Sequence, residues 1–146
     1  MEDSTFDVTQ FEAMESAVLD VLTPLGAPLM YAGKPVQIEV YGPGSAMYAT
    51  EQAKVDTARR ARAVAAAIGR ASDETTEEIH KQNAARLAAL TKQIINFPIP
   101  GGAQALYENK KLGYISDQVA RFVEDWSRFL PPSVRSLGFT SGSELG

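Results

Sequence analysis

The fold is decided by residues 105–130, ALYENKKLGYISDQVARFVEDWSRFL, which contain the only Trp of the chain and its clearest helical pattern. Apolar side chains recur there at steps of four and three residues, at Ile115, Val119, Phe122, Trp126 and Phe129. This spacing places all five on one face of a single helix, which we expect to end before Pro131. A face this apolar has to be buried, either on the rest of the chain or on a partner, because Trp and Phe anchor cores and interfaces alike.

Two short strands are predicted upstream of this helix. Residues 17–22 are partly β-branched and stop at Thr23-Pro24, and Val36, Ile38 and Val40 alternate with polar residues. Turns rich in Gly and Pro separate the two segments, so we expect an antiparallel β-hairpin. Such a hairpin is marginal in water and needs a covering helix or further strands.

A helical hairpin is predicted between the strands and the C-terminal helix. Ala-rich residues 46 to about 71 contain no Pro and favour a long helix, which Ser45 can cap. Thr75 and Glu78 have the spacing of a capping box and begin a second helix that we expect to run to Lys92 or Ile95. The short link between the two helices indicates that they are antiparallel. A short helix follows at residues 103–108.

These elements predict one α+β domain, mainly helical, for the 146 residues. An N-terminal antiparallel β-hairpin is followed by the helical hairpin and the amphipathic C-terminal helix. We expect the domain to span residues 17–132, with a flexible N-terminal arm at residues 1–16 and a flexible C-terminal tail at residues 133–146. The acidic N-terminus lacks the basic region of a signal peptide, and no apolar run predicts a membrane span.

Composition restricts the function as well. Hydrophobic residues make up 45% of the chain and the net charge is −4, so nucleic acid is not the expected partner. The chain contains no Cys, which excludes disulfides, thiolate nucleophiles and Cys-based metal sites.

Candidate catalytic features are weak. The single His, His80, lies on a polar helix and has no partner at a catalytic or metal-binding spacing. The acidic residues of the second helix's first turns are better placed to complement the N-terminal end of the helix dipole than to bind a cation; they are Asp73, Glu74, Glu77 and Glu78. The sequence GPGS at residues 42–45 lacks the GK[ST] ending of a phosphate loop and is better explained as a turn before a capped helix. We therefore predict no catalytic residue, no cofactor and no metal.

Two surfaces remain as candidates for partner binding. The first is the apolar face with Trp126 described above. The second is the basic cluster of Arg59, Arg60 and Arg62, which has no interleaved aromatic residue and is therefore not typical of single-strand binding. Its alternative interpretation is a solvated helix face that pairs with acids of the following helix.

Two segments together resemble the tail assembly chaperones of long-tailed, siphovirus-like bacteriophages. One is YGPGS at residues 41–45, followed by Tyr48. The other is residues 115–130, with the pattern DQV-x-x-F-V-x-D-W-x-x-F-L, preceded by Leu106-Tyr107. The resemblance covers most of the chain beyond Ala17. It implies a non-catalytic protein of the host cell cytoplasm that binds the tape-measure protein, recruits tail-tube protein and leaves before the tail is complete.

Other hypotheses stay open. A structural virion component, such as a minor tail, neck or head-decoration protein, would share the acidic, Cys-free composition. A small enzyme or a nucleic-acid-binding regulator would require a continuous basic surface around Arg59 to Arg62. The sequence also leaves open whether the chain forms a homo-oligomer.

Overall fold

The computed structural model describes residues 6–70 and 74–134. Its strands are β1 (Ser16–Asp20), β2 (Met30–Tyr31), β3 (Lys34–Pro35), β4 (Gln37–Tyr41) and β5 (Thr91–Ile95). Its α-helices are α1 (Ala46–Ala67), α2 (Thr76–Ala89), α3 (Gly102–Glu108) and α4 (Gly113–Phe122), and 3-10 turns occupy Val8–Phe11, Lys110–Leu112 and Trp126–Phe129.

The predicted fold class, a mainly helical α+β protein, is confirmed. β1 and β4 pair antiparallel, as the hairpin prediction requires, with Ala17 opposite Val40 and Leu19 opposite Ile38. A third strand, β5, pairs with the other edge of β4 and places Ile94 opposite Ile38. The sheet is therefore three-stranded, in the order β1-β4-β5.

The third strand corrects the predicted length of α2. This helix does not run to Lys92 or Ile95, because Leu90 is its C-cap and Thr91 begins β5. The backbone N–H of Tyr41 donates to the Leu90 carbonyl over 2.8 Å, which joins the helix end directly to the sheet. Thr91, Ile94 and Ile95 are β-branched and therefore suit an edge strand. The apolar spacing of residues 91–95 fits a helix or a strand, and hydrogen bonding to β4 favours the strand.

The link between β1 and β4 contains a second, very small hairpin. β2 and β3 flank Ala32 and Gly33, whose φ angles are 52° and 79°. Two consecutive positive φ values are typical of a type I′ turn, which matches the twist of paired strands. The Asn96 amide, directly after β5, donates to the Tyr31 carbonyl at 2.8 Å and to the Lys34 carbonyl at 2.9 Å. These bonds attach the small hairpin to the main sheet.

One face of the sheet packs against α2, α3 and α4. Tyr107 of α3 lies in this core, and its hydroxyl shares a 2.6 Å hydrogen bond with the Thr91 hydroxyl. Burial raises the pKa of Tyr107 to about 12. The buried core consists of Val21, Val36, Ile38, Val40, Ala84, Leu87, Leu90, Leu106, Tyr107, Ile115, Val119, Phe122, Val123 and Phe129.

Both ends of α1 are defined by local hydrogen bonds. The hydroxyl of Ser45 accepts from the Tyr48 N–H at 3.0 Å, so Ser45 is the predicted N-cap. At the other end Gly69 has a φ of 79°, and Arg70 N–H donates to the Ala65 carbonyl at 2.8 Å. This is a Schellman ending, which stops the helix at Ala67 rather than near residue 71.

α1 contributes little to the core. Only Glu51 is buried among its 22 residues, and the helix is about 33 Å long at 1.5 Å per residue. Cross-helix contacts join Tyr48 to Arg86 near one end and Arg62 to Gln82 farther along, so α1 and α2 are antiparallel as predicted. The capping box of α2 is also confirmed, with Thr75 and Glu78 exchanging hydrogen bonds of 3.0 and 3.1 Å.

The predicted N-terminal arm and C-terminal tail lie only partly within the described residues. In the predicted N-terminal arm, the Met14 N–H donates to the Phe129 carbonyl at 2.6 Å and the Glu15 carbonyl accepts from the Gly42 N–H at 3.0 Å. The end of the arm is thus hydrogen-bonded to the domain immediately before β1. Residues 1–5 and all but Ser133 and Val134 of the predicted tail at 133–146 lie outside the described residues.

Candidate functional site

The predicted apolar face is divided by the structure. Ile115, Val119 and Phe122 lie on α4 with exposed fractions of 0%, 0% and 8%, and they pack into the core of this chain. Phe129 is also fully buried. Trp126, by contrast, is 56% exposed. The prediction that all five side chains share one helix face is therefore wrong for Trp126 and Phe129, which lie beyond the end of α4. Phe129 nevertheless reaches the core, so four of the five residues belong to it.

The division occurs because the final helix ends earlier than its pattern predicts. α4 stops at Phe122, and the backbone of Asp125 is extended, with φ −96° and ψ 99°. The Asp125 carboxylate accepts from the Ser127 N–H at 3.0 Å and from the Ser127 hydroxyl at 2.6 Å. The hydroxyl contact lowers the pKa of Asp125 below its ordinary value. Asp125 thereby caps a separate 3-10 turn, Trp126–Phe129. The side chains of this turn no longer continue the apolar face of α4.

Two glycines of the YGPGS segment receive the aromatic rings of this turn. A Cβ at Gly42 would lie 2.5 Å from Cδ2 of Phe129, and a Cβ at Gly44 would lie 3.1 Å from Cζ3 of Trp126. The Phe129 ring also meets the Phe122 ring edge to face, with centroids 5.4 Å apart. The turn after β4 and the C-terminal aromatic residues therefore form one packing unit, although about 80 residues separate them in the sequence.

Ala13, in the stretch before β1, lies near the contact between Trp126 and Gly44. A Cβ at Gly44 would be 3.9 Å from the Cβ of Ala13, and the Met14 N–H donates to the Phe129 carbonyl. We name Ala13, Met14, Gly44 and Trp126 the Trp126 surface. Met14 is 38% exposed and Trp126 is 56% exposed, so both side chains contribute apolar area to this surface. Its tryptophan is held on a capped turn, which is a suitable anchor for a protein partner.

The basic cluster does not form a continuous basic surface. Arg62 donates to Glu74 at 2.6 Å and to Gln82 at 3.3 Å, so it joins the two helices of the hairpin. This pairing lowers the pKa of Glu74 and raises that of Arg62. Arg62 therefore pairs with an acid that directly precedes the N-cap of α2, which is close to the alternative interpretation of the cluster. Arg59 is 3.9 Å from Asp56, and Arg60 has no ion-pair partner within residues 6–70 and 74–134.

A groove of about 390 Å³ lies between α1 and α2. Val55, Ala58, Ala85 and Ala89 supply its apolar lining. Glu51 is 6% exposed there, and its carboxylate accepts from Lys54 Nζ at 2.9 Å. Arg86 and Arg62 also line it, but each is paired with an acid, Glu124 and Glu74 respectively. The groove is therefore close to electrically neutral.

The remaining polar candidates have local structural contacts. His80 Nε2 lies 3.0 Å from the Glu108 carbonyl, a distance at which the ring nitrogen donates to the end of α3. Glu77 pairs with Lys110 at 2.9 Å, which lowers the pKa of Glu77. In the part of the chain that the structure describes, no group of three or more His, Asp or Glu side chains is placed to hold a metal ion. Over the same residues, no helix is both long enough and apolar enough to span a membrane.

The chain matches no protein-family model, and neither the curated proteins nor the solved structures contain a significant match to it.

Proposed function

We propose that the protein is a non-catalytic assembly chaperone, or adaptor, for the tails of long-tailed bacteriophages. In this role it binds the tape-measure and tail-tube proteins in the host cell cytoplasm during tail morphogenesis. The observation that carries the binding role is Trp126, which is 56% exposed although its turn is fixed by Asp125 and its ring rests on Gly44. A positioned but exposed indole binds a partner at a small cost in conformational entropy.

The size of the exposed area is sufficient for an anchor. A Trp side chain buries up to about 250 Å², so its exposed part offers roughly 140 Å². At about 25 cal/mol per Å², covering that area contributes about 3.5 kcal/mol. A contribution of this size is typical of interface residues whose truncation measurably weakens a complex.

The identity of the clients rests on the resemblance to the tail assembly chaperones. Its two motifs, YGPGS and DQV-x-x-F-V-x-D-W-x-x-F-L, lie far apart in the sequence but are in contact in the structure. Gly42 receives Phe129, and Gly44 receives Trp126. The residues that carry the resemblance therefore pack as one unit, and the proposal treats them as a single surface.

Co-expression with a tape-measure and a tail-tube protein from the same genome tests the proposal. The tagged chain is expected to retain one or both of them, and Trp126→Ala is expected to lose them while the far-UV circular dichroism is unchanged. The matched control is Leu25→Ala, an apolar side chain that is 95% exposed on a turn outside the Trp126 surface. Absence of both proteins from the wild-type eluate would contradict the proposal.

Mass spectrometry of purified particles separates the chaperone from the alternative, a structural virion component. A chaperone leaves before assembly is complete, so its peptides are expected only in trace amounts beside those of the tail-tube protein. Stoichiometric recovery with the particle would favour a minor tail, neck or head-decoration protein instead.

A further inference from the structure

The charges of this acidic chain are segregated between two exposed regions. Residues 58–70, in the second half of α1 and its C-terminal end, contain four arginines and no acid. Arg59 and Arg62 pair with Asp56 and Glu74, which leaves Arg60 and Arg70 without an ion-pair partner among the described residues. Residues 6–15, which we name the N-terminal segment, contain Asp7, Glu12 and Glu15 and no basic residue. Opposite charges in two separate regions of one molecule provide complementary surfaces for two copies of it.

The basic region also presents apolar side chains to solvent. Arg60, Val64 and the C-cap residue Ile68 follow one another at steps of four, so they lie on one side of α1, with Ala61 beside them. We name these four residues the outer α1 face. The α2-facing residues Val55, Ala58 and Arg62 lie on the opposite side of the helix. Val64 is 61% exposed and Ile68 is 63% exposed.

The N-terminal segment presents a matching set of apolar residues. Its exposed fractions are 72% for Phe6, 60% for Val8 and 45% for Phe11. The rings of Phe6 and Phe11 stack with centroids 5.8 Å apart, and Asp7 caps the intervening 3-10 turn by accepting from the Thr9 N–H at 3.1 Å. The segment is thus locally organised, and little additional ordering is needed when it binds.

The two regions lie at opposite ends of α1. The N-terminal segment is attached near the beginning of this helix, where Ala13 and Trp126 meet at Gly44. Val64 lies 18 residues beyond Ala46, which is about 27 Å along the helix axis. The compact segment is anchored too far away to cover the outer α1 face of its own chain.

We propose that the N-terminal segment of one copy docks on the outer α1 face of a second copy. The proposed contact is heterologous, so each dimer retains one unoccupied surface of each kind. The chain therefore associates head to tail. This inference is independent of which client the protein binds.

Sedimentation equilibrium over roughly 10–500 μM tests the association, since small exposed interfaces of this type are weak. The average mass of the wild-type chain is expected to rise with concentration, and to rise less as NaCl is increased, because the contact is partly ionic. A chain that remains monomeric over the whole range at low salt would overturn the proposal.

Complementary variants test the geometry. Val64→Glu blocks the outer α1 face and Phe11→Glu blocks the N-terminal segment, and each variant alone is expected to be monomeric. Mixed in equal amounts they are expected to form a 1:1 dimer that grows no further, because each supplies the surface that the other lacks. Ala66→Glu is the matched control, as Ala66 is an exposed residue of α1 outside the outer face, and it is expected to associate like the wild-type chain.

The contrary outcomes are distinct. If Val64→Glu or Phe11→Glu still self-associates like the wild-type chain, the assigned surfaces are wrong. If the mixture remains monomeric, the contact is not heterologous. If the wild-type chain is monomeric but Val64→Glu loses a co-purified client protein, the outer α1 face binds the client, and the self-association proposal fails while the proposed function stands.

Discussion

The Phe129 ring lies directly over the backbone of Gly42, with so little space that a Cβ at residue 42 would be 2.5 Å from the ring. Gly42 does not have a positive φ, so its role is to provide space rather than an unusual backbone conformation. The glycine belongs to the turn that leads from β4 to α1, and the ring belongs to the turn that follows α4. This contact joins the end of β4 to the C-terminal part of the domain.

Replacing Gly42 by Ala should therefore destabilise the protein. The ring atoms of a fully buried Phe129 cannot move away without disturbing Phe122, so we expect a loss of about 1–3 kcal/mol in the free energy of unfolding. Urea denaturation measures it. Gly113→Ala is the matched control, because residue 113 is helical and a Cβ there meets no atom within 4 Å. It is expected to be neutral or to stabilise by up to about 1 kcal/mol. Equal stability of both variants and the wild type would contradict the packing argument.

Trp126 and Phe129 should differ strongly in their contributions to stability. Phe129 is fully buried, so Phe129→Ala is expected to cost about 3–5 kcal/mol. Trp126 is 56% exposed, so Trp126→Ala is expected to cost only about 1–2 kcal/mol. The sequence pattern alone would predict a core-sized loss for Trp126 if the apolar face packs on the rest of the chain, and little loss if it packs on a partner.

Urea midpoints of the two variants decide between these expectations. If Trp126→Ala lost as much stability as Phe129→Ala, the indole would be part of the core in solution. Any weakening of partner binding by Trp126→Ala would then reflect loss of folding rather than loss of a contact.

Much of the fold could be predicted from local signals. The alternation of Val36, Ile38 and Val40 predicted a strand, and the Thr75–Glu78 spacing predicted a capping box. Both are present in the structure. The capping box needs only hydrogen bonds between residues three apart, and the strand shows a clear alternation of buried and half-buried residues. The N-cap of α1 at Ser45 was predictable for the same reason.

The prediction of α2 was wrong at its C-terminal end, where a contact between residues far apart in the sequence determines the structure. β5 forms because the edge of β4 is available, and a helical pattern through residues 91–95 carries no information about that edge. The Gln118 side chain makes another contact that no local pattern indicates. Its amide oxygen accepts from the Leu22 N–H at 2.8 Å, and its amide nitrogen donates to the Leu22 carbonyl at 2.7 Å, although 96 residues separate the two. No periodicity predicts such a contact.

The end of α4 did have a local signal. Asp125 followed two residues later by Ser127 is the spacing of a side-chain cap, and it competes with continuation of the helix. The apolar spacing through Phe129 nevertheless predicts a continuous helix. Phe129 fits that spacing because it packs into the core again after the turn. The exposed position of Trp126 follows from this cap, and it is the feature of the candidate site that the sequence pattern missed.

Asp125→Ala should consequently release the turn that positions Trp126. We expect a lower melting temperature than for Asp117→Ala, an exposed acidic residue of α4 that serves as the matched control. We also expect the Trp fluorescence to change its emission maximum and anisotropy, because the indole is no longer held beside Gly44. An emission spectrum identical to that of the wild type would show that the Asp125 cap does not determine the position of Trp126.

Glu39 should make the sheet sensitive to acid. Its carboxylate accepts from Gln93 Nε2 at 2.7 Å and from the Ser16 hydroxyl at 2.8 Å, and Lys92 lies 3.8 Å away. These hydrogen bonds, that of Gln93 most strongly, hold the pKa of Glu39 below its ordinary value of 4.5. A carboxylate with a lowered pKa in the folded state stabilises the protein above the unfolded pKa, and this contribution is lost as the pH falls through the folded pKa.

Glu39→Gln removes this proton-linked contribution while retaining an oxygen that can accept hydrogen bonds. Asp7, Glu74, Glu77 and Asp125 also have lowered pKa values, so both proteins should lose stability in acid. The loss between about pH 5 and pH 3 is expected to be smaller for Glu39→Gln than for the wild type. Urea midpoints measured across that range provide the comparison. Glu12→Gln is the matched control, since Glu12 is exposed and its carboxylate makes no hydrogen bond within the described residues. If Glu39→Gln and Glu12→Gln lost stability in parallel with the wild type, the hydrogen bonds to Glu39 would not be linked to folding.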